Sequence, residues 1–137
     1  LSPLRDSGGK LLVYHGWSDP DISPIGTIDY YEEVMSVMGD GANADEALAA
    51  TKEFFRLFMV PGMGHCRGGP GPDSFDALTA MEQWVEQGVA PDQMVASKMV
   101  DGEVVRTRPL CTYPQVAEWN GSGSTDDAAN FSCVTPG

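Results

Sequence analysis

Phe54-Phe-Arg-Leu-Phe-Met-Val60 runs directly into Val60-Pro-Gly-Met-Gly-His-Cys66. The first stretch is apolar almost without interruption and has the length of a strand. A strand that does not alternate is one covered on both faces, as in a parallel sheet. The second stretch is a loop. Proline ends the pairing, and the glycines on either side of Met63 let the backbone turn sharply and carry His65 to an exposed tip. Upstream, the same design occurs once more. Lys10 to His15 reads as a short buried strand, and Gly16 to Pro24 is turn chemistry that carries Asp19 in Trp17-Ser-Asp-Pro20.

Between these two units the pattern changes. Ile25, Ile28, Val34, Met35 and Met38 recur at helical spacing, with Asp29, Glu32 and Glu33 on the opposite side. Gly39-Asp-Gly41 closes that helix. Ala42 to Thr51 is Ala-rich and reads as a short second helix or an irregular insertion. After the His65 loop, Arg67 to Pro72 is dense in glycine and proline. A helix is expected from Asp73, with Phe75, Leu78, Met81, Trp84 and Val85 on one face and Gly88 at its end. Met94 to Val100 and Glu103 to Arg108 read as strands joined at Asp101-Gly102. Strand, helix, strand, helix, strand is the order of an α/β fold with a parallel sheet. Three strands do not cover the helices alone, so the sheet is expected to continue into residues before Leu1. We divide the chain into residues 1–108, the α/β part, and residues 109–137, a loop-rich tail packed on it.

The composition narrows the function. The 137 residues carry a formal net charge of −12. Nucleic acid and anionic membrane both require a basic face, so neither is expected as a partner. No apolar stretch has the length of a membrane span. Three cysteines is an odd number. Cys111 and Cys133 lie in a tail with little to bury, and a staple between them would hold it. Cys66 is then a free thiol or the partner of a cysteine outside these residues. The sequons Asn120-Gly-Ser122 and Asn130-Phe-Ser132 are compatible with secretion.

Asp19 and His65 are the candidate catalytic residues. Each follows a strand expected to be parallel, and open α/β sheets bind ligands beyond the carboxyl ends of their strands. A carboxylate beside an imidazole fixes its tautomer and stabilises the imidazolium formed when the ring takes a proton. Asp before Pro is also a common turn opener, and Asp21 is a rival carboxylate. Trp17 and Ile22 lie on the Asp19 loop and are candidate substrate contacts. His15, at the end of the first strand, reads as a packed, hydrogen-bonded residue. The histidines and cysteines lack zinc-ligand spacing, so no metal site is assigned. Acid before histidine matches the second half of the Ser…Asp…His chain order of α/β-hydrolases, yet no G-x-S-x-G occurs here.

Taken together, these segments resemble the tannase and feruloyl esterase family of α/β-hydrolases. The stretches that carry the resemblance are Gly9 to Pro20, Thr27-Ile-Asp-Tyr-Tyr31, Phe58 to Gly69, Arg106-Thr-Arg-Pro-Leu-Cys-Thr-Tyr-Pro114 and Asn120 to Cys133. The resemblance implies a carboxylic ester hydrolase acting on aromatic acid esters such as feruloyl, galloyl or terephthaloyl esters. It implies Asp19 as triad acid and His65 as base, with the nucleophilic serine outside this chain. It implies a disulfide from Cys66 to the cysteine before that serine, and a second one between Cys111 and Cys133.

The serine elbow, the oxyanion hole and a lid that binds substrate and calcium would lie before Leu1. The chain then reads as the C-terminal part of the α/β-hydrolase fold, inactive by itself. Its partners would be an aromatic ester and the N-terminal part of the same enzyme, and its location secreted or periplasmic. The alternative is a non-catalytic fragment that serves only as a structural docking partner.

Overall fold

The computed structural model describes residues 1–137. Its centre is a pair of parallel strands, β1 (Leu11–Gly16) and β2 (Phe55–Val60), in register from Leu11↔Phe55 to Gly16↔Val60. A short helix α1 (Ser2–Asp6) precedes them. The crossover between the strands is helical: α2 (Pro24–Gly39), then α3 (Ala44–Lys52).

Strand periodicity places two cores on the two faces of this pair. Phe55 and Leu57 of β2 pack with Tyr31 and Val34 of α2, joined by Leu11 and Val13. Phe58 and Val60 face the other way and pack with Met63, Met94, Ala96 and Leu110. Both faces are covered, which is why β2 is apolar without alternation.

Helix α2 starts with proline in its first turn, where no amide is needed, and closes on Asp40 in the left-handed region (φ 44°). Gly39 has a different use. A Cβ there would stand 2.6 Å from Ala47 Cβ, so glycine lets α3 approach α2 closely. The stretch from Ala42 to Thr51 resolves as a helix because Asn43 and Glu46 form a reciprocal capping box.

Helix α4 (Ala77–Gln87) begins later than expected. Asp73 and Ser74 are held extended by bonds to Ser97, and Asp76 takes the N-cap, accepting from the Thr79 amide at 2.9 Å. Only part of the expected apolar face is covered. Trp84 is buried, whereas Leu78 and Val85 are 70% and 61% exposed. Leu78 stands beside Leu12 and Tyr14 at the edge of β1 that no strand of this chain covers.

The third expected parallel strand is not parallel. β3 (Gln93–Val100) and β4 (Glu103–Cys111) form an antiparallel hairpin. Asp101 and Gly102 both adopt positive φ, the backbone of a tight hairpin turn, and so commit β3 to pair with its successor. The hairpin closes over the Phe58 face, and its continuation lies against β2: Tyr113 N–H donates to Leu57 O at 2.8 Å.

Strand β4 crosses the expected division after Arg108 and runs to Cys111. The tail holds more regular structure than loops: β5 (Val116–Trp119) pairs antiparallel with β6 (Phe131–Val134). A Cys111–Cys133 disulfide with Cα atoms 5.6 Å apart ties this small sheet to the end of β4. No helix is long and apolar enough to cross a membrane.

Candidate active site

Because β1 and β2 are parallel and adjacent, the loops that follow them leave the same end of the sheet side by side. Backbone bonds join them: Trp17 N–H donates to Val60 O and Ser18 N–H to Met63 O, both at 2.9 Å. Gly16 is the point of closest approach. A Cβ there would lie 2.3 Å from the carbonyl oxygens of both Met63 and Gly64, so no other residue fits without moving the second loop.

The His65 loop is anchored from inside and from behind. Met63 is fully buried in the Phe58 core. Gly64 N–H donates to Gly68 O at 3.0 Å and closes the tip around His65. Asp73 accepts from Gly68 N–H at 2.6 Å and pairs with Lys98 of β3, which also donates to Gly69 O. The amide and the ammonium hold the Asp73 carboxyl below its ordinary range against the opposing effect of burial.

Asp19 and His65 meet at this junction. His65 Nδ1 lies 2.8 Å from Asp19 Oδ2. The other carboxylate oxygen accepts from the backbone N–H groups of Asp21 (2.8 Å) and Ile22 (3.0 Å). The Asp19 side chain is only 3% exposed, whereas that of His65 is 49% exposed. The Ile22 amide, then His65 and the Asp21 amide, drive the Asp19 carboxyl far below its usual value. The same hydrogen bond and the Asp19 charge raise the His65 pKa. Nδ1 is thus the protonated nitrogen facing the acid, and Nε2 is left as the basic nitrogen.

The pair opens into a cavity of about 270 Å³ lined by Tyr14, His15, Ile22, Thr27, Met63 and Cys66 beside Asp19 and His65. Ile22 therefore shares the site with the pair. Trp17 does not: it lines a separate cavity with Met59, Pro61 and Phe131. Cys66 is exposed, forms no disulfide with the other two cysteines, and has φ 62°. No serine lines the Asp19–His65 cavity. Asp19, Asp21 and His65 present ligand-type atoms within 4.8 Å of one another. Both Asp19 oxygens are already engaged by donors, so a cation here would have to displace hydrogen bonds.

Two supports of the His65 loop carry little signal in the sequence, and a third residue reaches further than its sequence reading implies. Met63 anchors the loop from within the string that names it. Asp73–Lys98 lies outside both loops, and its only sequence signal is an acid next to the Gly/Pro-rich stretch. His15 is packed and hydrogen-bonded, as its place in the first strand implies, and its Nε2 also lies 3.2 Å from Asp19 Oδ2.

Comparison with known proteins gives a consistent result. The family model for tannase and feruloyl esterase matches residues 1–134. The chain is 48% identical to an uncharacterized esterase of Xanthomonas campestris pv. campestris, covering 98% of this chain and 27% of that protein. It is also 48% identical to mono(2-hydroxyethyl) terephthalate hydrolase of Piscinibacter sakaiensis, covering 99% of this chain and 21% of that one. The crystal structure of feruloyl esterase B from Aspergillus oryzae superposes with a TM-score of 0.87 at 33% identity, covering 97% of this chain and 28% of that chain. The chain thus spans between 21% and 28% of the length of these relatives.

Proposed function

The chain belongs to the tannase and feruloyl esterase family, and from that premise we propose that it supplies the acid and base of a serine carboxylic ester hydrolase acting on aromatic acid esters. The observation that carries this reading is the 2.8 Å contact between His65 Nδ1 and Asp19 Oδ2, with the rest of the ring open to a cavity. A serine hydroxyl from a segment outside this chain attacks the ester carbonyl. His65 Nε2 takes the serine proton as the carbon–oxygen bond forms. The tetrahedral intermediate collapses, and His65 returns that proton to the departing alcohol. Water then repeats the sequence on the acyl-enzyme, releasing the aromatic acid and the free serine. Throughout, Asp19 holds the Nδ1 proton and stabilises the imidazolium.

Ile22, which lines the cavity beside His65, is proposed as a contact for the acyl group. Cys66 follows His65 directly and is exposed, which suits a disulfide to the segment that bears the serine. Such a clamp would hold nucleophile and base in register. A secreted or periplasmic location fits the Cys111–Cys133 disulfide.

The test is hydrolysis of a chromogenic aromatic ester. These 137 residues alone should give no turnover. Joined to the serine-bearing segment they should hydrolyse the ester, and His65→Ala should abolish the activity. Robust turnover by the isolated chain that survives His65→Ala would overturn the assignment.

A further inference from the structure

His15 is the next-to-last residue of β1, on the face turned toward α2, and is used by nothing in the mechanism above. Its two ring nitrogens are both occupied. Nδ1 lies 2.6 Å from Thr27 Oγ1 in the first turns of α2. Nε2 lies 3.2 Å from the Ile22 carbonyl oxygen and 3.2 Å from Asp19 Oδ2. Both neighbours of Nε2 are acceptors that carry no proton, so Nε2 bears the hydrogen. In the neutral ring Nδ1 is then the acceptor, and the Thr27 hydroxyl donates to it.

The bond to Ile22 O has a consequence for the acid. The peptide on the other side of Ile22 donates its N–H to Asp19 Oδ1 at 3.0 Å. His15 therefore grips the same residue whose amide grips Asp19, and its own N–H lies beside the second carboxylate oxygen. The ring is nearly closed off from solvent, with its side chain 11% exposed. The group it orients is held on three sides: by the Asp21 and Ile22 amides, by His65 and by His15.

We propose that His15 is a positioning residue: by binding Ile22 O and flanking Asp19 Oδ2, with its tautomer set by Thr27, it locks the loop that aims Asp19 at His65. The proposal rests on the reading of Asp19 and His65 as acid and base, and it adds a residue that takes no part in the proton transfers themselves. The titratable groups that face His65 are Asp19 and Asp21 from the β1 loop. His15, Tyr14 and Cys66 line the same cavity.

The test joins kinetics and histidine NMR of the complete enzyme, the His65 resonance being assigned by its loss in His65→Ala. His15→Leu keeps the volume and removes both bonds. Loosened, Asp19 should hold His65 less well. The His65 titration midpoint should fall toward the ordinary imidazole value, and kcat should drop about 10- to 100-fold with a much smaller change in KM. His15→Gln, whose amide can again donate to Ile22 O, should recover part of both. Thr27→Val should give a weaker effect in the same direction, and it covers the case in which His15→Leu does not fold. A His65 midpoint and a kcat unchanged in His15→Gln and Thr27→Val, or unchanged in a folded His15→Leu, would overturn the proposal. If His65→Ala leaves the complete enzyme active, the acid–base reading fails instead. The His65 midpoint still decides whether His15 governs Asp19.

Discussion

Asp19 and His65 lie 46 residues apart in sequence, and their side chains meet at 2.8 Å. Gly16 and Val60, the last residues of their strands, are register partners. The meeting is therefore a property of the parallel pair: two strands ending at the same level deliver two loops to one place. Neither loop reaches far. Asp19 is three residues beyond the end of β1, and its carboxylate turns back to cap the amides of Asp21 and Ile22.

This geometry predicts the pH dependence of the complete enzyme. In the proposed mechanism His65 must be unprotonated to take a proton, and Asp19 raises its pKa above the ordinary histidine value. The acid limb of kcat/KM should therefore lie above the value of a free imidazole, with activity lost as pH falls through it. Asp19→Asn removes the charge, so the limb should move to lower pH. The rate should also fall by about 10⁴-fold, because the amide can favour the wrong tautomer. A pH–rate profile of the two proteins measures both effects.

Gly16 tests the contact between the two loops. Gly16→Ala puts a methyl group 2.3 Å from two carbonyl oxygens of the His65 loop. Overpacking of this kind should destabilise by about 1–3 kcal/mol, and turnover should fall even where the protein remains folded, because the displaced segment carries His65. Gly26→Ala is the control. It lies within α2 with nothing near a built Cβ, so it should stabilise by about 0.5–1 kcal/mol. Thermal melts with ester turnover separate the two.

The expected fold and the observed one agree where a local pattern reports a local cause. The unbroken apolar run at β2 is covered on both faces, and the spacing from Ile25 to Met38 is α2. The pair Asp19 and His65 was legible because each lay just past such a strand. What failed depended on partners far along the chain. The spacing of Phe75 and Leu78 extends the α4 pattern back to Asp73, but Ser97 pairs with Ser74 in a bridge and accepts from the Asp73 amide. Nothing in Met94 to Val100 says that its neighbour is β4 rather than β2, although Asp101-Gly102 held the answer. His15 is the packed, hydrogen-bonded residue its position implies, but its reach to Asp19 exists only once the loop from Trp17 to Ser23 folds back toward α2. The tail reads as loop-rich because its strands are four residues each, too short for an alternation to stand out.

The disulfide should matter more to the tail than its strands do. Cys111 and Cys133 are separated by 22 residues, and closing a loop of that length in the unfolded chain corresponds to about 3 kcal/mol. Replacing both by serine should lower stability by about that amount in denaturant melts. The loss should appear first as exchange of the β5–β6 amides, because this small sheet is two strands of four residues tied to β4 through that bond. Protection in β1 and β2 should persist to higher denaturant.

Asp73 and Lys98 offer the last test, because they hold the His65 loop from a distance. The Asp73 carboxyl is depressed below its ordinary value in the folded chain, with the Gly68 amide and Lys98 outweighing the effect of burial. A carboxyl depressed on folding adds stability that is fully present above its unfolded value, about 3.9. That stability is lost as pH falls through the folded value. Asp19 acts with the same sign. Melting temperature should therefore drop steeply with acidification below about pH 4. Asp73→Asn should flatten part of that drop while costing about 1–2 kcal/mol at neutral pH, where a charge-assisted bond to Lys98 is lost. It leaves Asp19 and His65 chemically intact, so any fall in turnover reports movement of the loop alone. Lys98→Met should reproduce the fall in turnover. Full turnover in both variants would show that burial of Met63 holds His65 in place without help from β3.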